Sequence, residues 1–253
     1  MPMSPRLLRP IASSTWTPAV LGTQVAAWFD ADNAASITLN GSSVSRWNDR
    51  SGNGRHVSQS SASAQPLYET NQLNGKPVLT FDITDDRMFT TAGGASGVVD
   101  ASFFVVMRFA SGGNNEDSPV GIGQSGQVRQ VRTLYRTSNG TTLGFSGWAN
   151  DISASAYSCD IGGSYHIFAA RQTGRTVQMR RDGLGANYTA GSDFSAVNSN
   201  NLFIGGIDTV SDGGNRRTDG SFAEVIVFYN YASDTITSLV ERYLSRKWGI
   251  SIA

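Results

Sequence analysis

From Val25 onward the chain reads as strand, turn, strand, and this pattern constrains the fold more than any other feature. "KPVLTFDI" (residues 76–83) alternates Val78, Thr80 and Asp82 against Leu79, Phe81 and Ile83, the period of a strand with two unlike faces. "SFFVVMRFA" (residues 102–110) is too apolar for a strand with one wet face and is expected to be central, buried on both sides. In "RTLYRTSNGTTLGFSGW" the Asn139-Gly140 pair suits a type I′ turn, with residues 134–137 and 141–145 as the two arms of a hairpin. "YHIFAARQTGRTVQMRRDG" repeats the pattern, and "NLFIGGI" and "SFAEVIVFYN" supply two more strands. Only at the end does the period change. In "SDTITSLVERYLSRKWGI" the residues Ile236, Leu239, Val240, Tyr243 and Leu244 recur at helical spacing. Ser233 or Asp234 is placed to cap the start, Arg246 and Lys247 suit the C-terminal dipole, and Gly249 suits the stop.

At 253 residues with no internal repeat, one large all-β domain is the economical reading, preceded by an extended arm over residues 1–24. Pro2, Pro5 and Pro10 oppose helix and central strand there. The segment Arg6, Leu7, Leu8, Arg9 is an apolar pair flanked by charge, suited to docking on another chain or simply disordered. Only 16% of the residues are charged and Lys plus Arg equals Asp plus Glu, which argues against a nucleic-acid partner. No apolar stretch approaches a membrane span and no secretory signal is visible. The single cysteine, Cys159, cannot form an intrachain disulfide and reads as a small buried hydrophobe.

The stretches "VAAWFDADNAASITLNGSSVSRWNDRSGNGRHVSQSSASAQPLY", "LNGKPVLTFDITDDRM", "FAEVIVF" and "ERYLSRKWGI" resemble the LamG-like concanavalin A-type lectin/glucanase family, in the version found in bacteriophage structural and tail proteins. The resemblance implies a jelly-roll sandwich of two antiparallel sheets over residues 25–253, with the short C-terminal helix and the N-terminal arm as additions. It further implies a non-enzymatic virion component, a capsid decoration or tail-fibre protein. Its partners would be other virion proteins reached through the arm, and copies of itself, a trimer being the expected form. The alternative is a lectin-like module for host glycans, and behind it a glycoside hydrolase.

Catalytic signatures are sparse. A glucanase of this fold is expected to carry paired carboxylates on one strand face, about 5–5.5 Å apart in a retaining enzyme. Glu69, Glu116, Glu224 and Glu241 are isolated from one another, while Asp85-Asp86 and Glu116-Asp117 are adjacent and would point to opposite faces. Asp49, Ser51 and His56 are too close in sequence for a triad assembled from distant segments, and His166 reads as a strand residue with a satisfied ring. The segment from Asp30 begins like a calcium loop but fails at Ala34, Ala35 and Gly41. No cofactor is expected, although a non-EF-hand calcium site on Asp30, Asp32, Asp208 or Asp212 stays open. Glycan binding asks for an exposed aromatic and a few hydrogen-bonding groups. Trp148, Asn150 and Asp151, with Tyr135 and Arg136 on the partner strand, are the candidates; the competing reading makes Trp148 a cover for the sheet end. "RWNDRSGNGRH" (residues 46–56) is expected to be structural, with Trp47 in the core and Gly52 and Gly54 allowing a tight reversal.

Overall fold

The computed structural model describes residues 16–111, 116–124, 126, 128–137, 141–159, 162–207 and 216–253. A 3-10 segment, Pro18–Gln24, is followed by β1 (Ala27–Asp30), β2 (Ile37–Asn40), β3 (Ser43–Trp47), β4 (Val57–Ser58), β5 (Leu67–Leu73) and β6 (Lys76–Phe81). Next come β7 (Met88–Thr90), β8 (Ala101–Phe109), β9 (Val120–Ile122), β10 (Arg132–Arg136), β11 (Thr142–Ser146) and β12 (Ile152–Ser158). The last strands are β13 (His166–Thr173), β14 (Thr176–Arg181), β15 (Leu184–Thr189), β16 (Leu202–Ile204) and β17 (Gly220–Phe228), before helix α1 (Asp234–Trp248).

All the strand pairs are antiparallel, and they join into one hydrogen-bonded sheet. From β15 the ladder runs through β14, β13 and β8 to β17. β17 bulges between Phe222 and Glu224, and its far edge is shared: β1 pairs with residues 224–227, β6 with residues 220–222. The ladder continues through β5, β3, β4, β7, β16 and β9 to β10, β11 and β12, with β2 on the edge of β3. Its two ends, β12 and β15, lie beside each other, so the sheet nearly closes like a barrel. The jelly-roll sandwich of two separate sheets is therefore corrected. Strands β3 and β17 each take two partners on one edge, which carries the hydrogen bonding around the corners and leaves few open edges.

The inner face encloses the main core, including Phe29, Trp47, Phe81, Phe103, Val105, Met107, Phe145 and Phe168. On the outer face of β1, β8, β13 and β17 a second core forms beneath α1, where Phe104, Val106 and Ile226 meet Val240, Leu244 and Trp248. β8 thus serves two cores, which explains its nearly continuous apolar run. Trp16 and Leu21 pack against this second core as well; residues 6–9 lie outside the described residues. In α1, Ser233 Oγ accepts the amide of Ile236, and Gly249 closes the C-terminus in the left-handed region with φ 67°. No helix among the described residues is long and apolar enough to cross a membrane.

Beneath α1, fully buried Glu224 ties helix to sheet. Its carboxylate accepts Trp28 Nε1 at 2.6 Å, Trp248 Nε1 at 2.7 Å and Tyr243 Oη at 2.8 Å, with Lys247 Nζ 2.8 Å away. Lys247 also pairs with Asp30. Burial pushes the Glu224 carboxyl above the usual carboxylate range, against the pull of Lys247.

The stretch 46–56 is a structural knot. Asp49 accepts the amides of Trp28, Ser51 and Arg55, while Asn53 Nδ2 donates to the carbonyls of Val25 and Ala26. His56 Nδ1 accepts the amide of Asp49, and Trp47 is fully buried. Gly52 has φ 91° and open space where a Cβ would stand. Gly52→Val should therefore cost about 1–3 kcal/mol through backbone strain, its Cβ meeting no neighbour. Urea denaturation checks this, and a variant as stable as the parent would refute it.

Candidate functional site

The β9–β12 part of the sheet leaves its outer face without a covering helix, and the alternation of β10 decides which side chains reach it. Leu134 joins Leu143 and Phe145 in the main core, so Tyr135 must point the other way. Opposite Tyr135 in the ladder is Gly144, where any Cβ would collide with the tyrosine ring. The glycine gives the phenol room to lie across the sheet, where it hydrogen-bonds with Ser153. Burial raises the Tyr135 pKa above its ordinary value, and the charges of Asp151 and Glu116 add to the rise.

Trp148 stands in the β11–β12 connection, half-buried, with φ 57°, followed by Ala149 with φ 59°. Two successive left-handed residues without glycine are uncommon, and a bulky one is costly. The turn is held from both sides. Ser146 Oγ accepts the amide of Trp148 at 3.2 Å and donates to Asp151 Oδ1 at 2.5 Å. The amide of Arg129, itself left-handed at φ 62°, donates to the Trp148 carbonyl at 3.0 Å. Across the indole face the Arg216 guanidinium lies 4.9 Å from the ring centroid, and it pairs with Glu116 at 3.0 Å. Trp148 continues an apolar strip formed by Val131, Phe203, Ile207 and Phe89.

Tyr135, Trp148 and Asp151 thus share one face, together with Ser153, Glu116 and Arg216. Asn150 does not point there. It is buried, donating to the Ser192 carbonyl at 2.9 Å and accepting the Ser192 amide at 3.1 Å, and so ties the turn to the following loop. Arg136 is on the opposite side of β10, almost fully buried, 3.0 Å from Asp117. Burial outweighs Arg136 and pushes the Asp117 carboxyl up to about 7, and the neighbouring Cys159 thiol up to about 12. Glu116 and Asp117 do part to different surroundings, although Glu116 sits in a left-handed turn with φ 77° and not in an extended segment. Glu116, Arg129 and Arg216 carry no sequence signal for this site, because each arrives from a loop remote from residues 146–151.

Asp30 and Asp32 are taken by cations of the chain itself, Asp30 by Arg50 and Lys247, Asp32 by Lys76 at 2.6 Å. Asp208 and Asp212 lie outside the described residues. One acidic group, Asp82, Asp85 and Asp86, has carboxylate oxygens within 4.8 Å of one another. Burial, with the charges of Asp82 and Asp85, raises Asp86 to about 6 despite the Asp82 amide it accepts. His166 is engaged by Asp182 at 2.5 Å, a satisfied ring at the edge of the core.

No protein-family model matches the sequence, and no curated protein matches it. Solved structures do share the fold. A GH54 α-L-arabinofuranosidase complexed with arabinofuranosyl-α-1,2-xylobiose superposes with a TM-score of 0.61 at 15% identity, covering 81% of this chain and 51% of that one. Trypanosoma rangeli sialidase in complex with sialic acid gives a TM-score of 0.55 at 12% identity, covering 91% of this chain and 34% of that one. The chain spans about half the length of the arabinofuranosidase and about a third of the sialidase. The all-β fold is therefore one found in carbohydrate-active proteins. These neighbours are glycosidases, not capsid or tail proteins, so neither the virion role nor the exclusion of catalysis expected from the sequence stands.

Proposed function

We propose that this chain is a carbohydrate-recognising module whose glycan lies on the outer face of β9–β12. The observation that carries the reading is Trp148. A large aromatic is held half-exposed in a strained left-handed turn, on the face that also carries Asp151, Ser153 and Arg216, with Tyr135 buried among them. Strain of this kind persists where the surroundings enforce a geometry, and it clusters at binding sites. An indole offers the apolar face of a sugar ring a flat partner, and carboxylate, hydroxyl and guanidinium groups beside it supply directional hydrogen bonds. The fold shared with an arabinofuranosidase and a sialidase is in keeping with that use.

A second reading, glycoside hydrolysis, is favoured by Glu116 and Asp151. Both carboxylates lie near enough to the Tyr135 hydroxyl to raise its pKa, which puts two acidic groups on one face, and paired general acid and base work draws on two such groups. One experiment addresses both. The protein is applied to a glycan array, and the retained oligosaccharides are incubated with it while reducing-end release is measured. Specific retention without release is the outcome expected of a binding module. Release that disappears in Glu116→Gln and Asp151→Asn would replace binding with hydrolysis as the function. Retention of nothing across the array would refute both.

A further inference from the structure

We infer that the cleft between Trp16 and the C-terminal half of α1 receives an acidic peptide segment of a partner protein, with an apolar side chain entering beside Trp16 and Tyr243 and a carboxylate resting on Arg246. The cleft adjoins the second core, on the outer face of β1, β8, β13 and β17, and so lies apart from the proposed glycan face. Trp16 meets Tyr243 edge to face, with ring centroids 5.9 Å apart, and Thr17, Arg246 and Lys247 complete the lining. One turn beyond Thr17, Val20 is 70% exposed and extends the apolar surface. The volume, about 270 Å³, holds one bulky side chain and falls short of the about 300–1,000 Å³ of sites that enclose a whole small molecule.

Charge on α1 identifies the rest of the occupant. The helix has five charged residues, Asp234, Glu241, Arg242, Arg246 and Lys247. Asp234 pairs with Arg171 at 2.6 Å, Glu241 turns inward to Arg180 at 2.6 Å, and Lys247 is held by Glu224 and Asp30. Arg242 and Arg246 remain, both exposed, and neither has a hydrogen-bond or ion-pair partner among the described residues. Four residues apart, they are neighbours on the helix surface. Residues 1–15, which lead into Trp16, hold Arg6 and Arg9 and no acidic residue, so the chain's own N-terminal segment brings two more positive charges and no counter-ion. The negative end of the helix dipole accounts for a cation in this turn but not for an apolar cleft beside it. A guanidinium fork fits a carboxylate in bidentate geometry, and the slot beneath it takes the neighbouring apolar side chain. Two arginines fall short of the several phosphate contacts that a nucleic acid draws on, and a ring pair set edge to face offers a sugar no flat platform.

The test is selection from a bead-displayed library of random octapeptides on the full chain at low salt. The expected result is enrichment of peptides with an aromatic or branched aliphatic residue next to Asp or Glu. For the most enriched peptide, Arg246→Glu should raise Kd at least tenfold, Arg246→Lys should keep part of the affinity, and added salt should weaken binding. Replacing the peptide's acidic residues with their amides should weaken binding as much as Arg246→Glu does. Trp16→Ala, with thermal melting as the check on folding, should also raise Kd at least tenfold. Enrichment of neutral or basic peptides, or of none, would overturn the inference, and an unchanged Kd in Arg246→Glu would overturn the placement of the carboxylate. An acidic peptide that binds the Leu7→Ser, Leu8→Ser double variant but not the parent would assign the cleft to the chain's own N-terminal segment and overturn the partner.

Discussion

Glu224→Ala is expected to destabilise the fold by about 3–5 kcal/mol, as removal of one partner from a buried charged network does. The substitution leaves the two indole N–H groups of Trp28 and Trp248 and the Tyr243 hydroxyl without their acceptor, in a place that water does not reach. It also leaves Asp30 as the remaining carboxylate partner of Lys247 among the described residues. Set against a total stability of about 5–15 kcal/mol for an ordinary domain, that is a large share. Glu224→Gln keeps an acceptor oxygen but turns an NH2 group toward donors, so a smaller loss of about 1–3 kcal/mol is expected. Urea denaturation with an unchanged m-value is the measurement. A shift below about 1 kcal/mol for the alanine variant would mean that α1 is held by its apolar contacts alone.

Trp148→Ala is the counterpart for function. If the indole is the platform on which the glycan rests, its loss should weaken binding by about 2 kcal/mol or more, roughly thirtyfold in Kd. Trp148→Phe, which keeps a flat aromatic face, should retain most of the affinity. Thermal melting separates this from unfolding, since Trp148 is half-buried at the margin of the small apolar strip and outside the main cores. Titration of the array's best ligand against both variants decides it. An alanine variant that binds like the parent would make Trp148 a cover for the sheet end, the other role its position in the sequence allowed.

Much of the local structure was legible. The double-sided burial of β8 follows from its uninterrupted apolar run, and α1 with its serine cap and glycine stop follows from period and capping chemistry. The β10–β11 hairpin forms with Arg136 opposite Leu143, although its Asn139-Gly140 turn lies outside the described residues. The knot at residues 46–56 was also readable, because Asn, Asp and Gly in that order satisfy nearby backbone groups. The candidate site was legible only in part. Trp148, Tyr135 and Asp151 belong to one hairpin and its next strand, so strand register nearly determines their meeting. Arg136 could have been separated from Tyr135 by alternation alone, since neighbours in a strand face opposite ways.

What the sequence by itself determined is therefore the set of elements and the faces they bury, because period, turn chemistry and capping act over a few residues. Only the tertiary structure decided that the strands join into one nearly closed sheet and that Glu116, Arg129 and Arg216 gather around Trp148. Ladder closure depends on which strands share an edge, and loop convergence depends on how the whole sheet curves. Neither is written in any short stretch of residues, because the contacts that fix them join segments far apart along the chain.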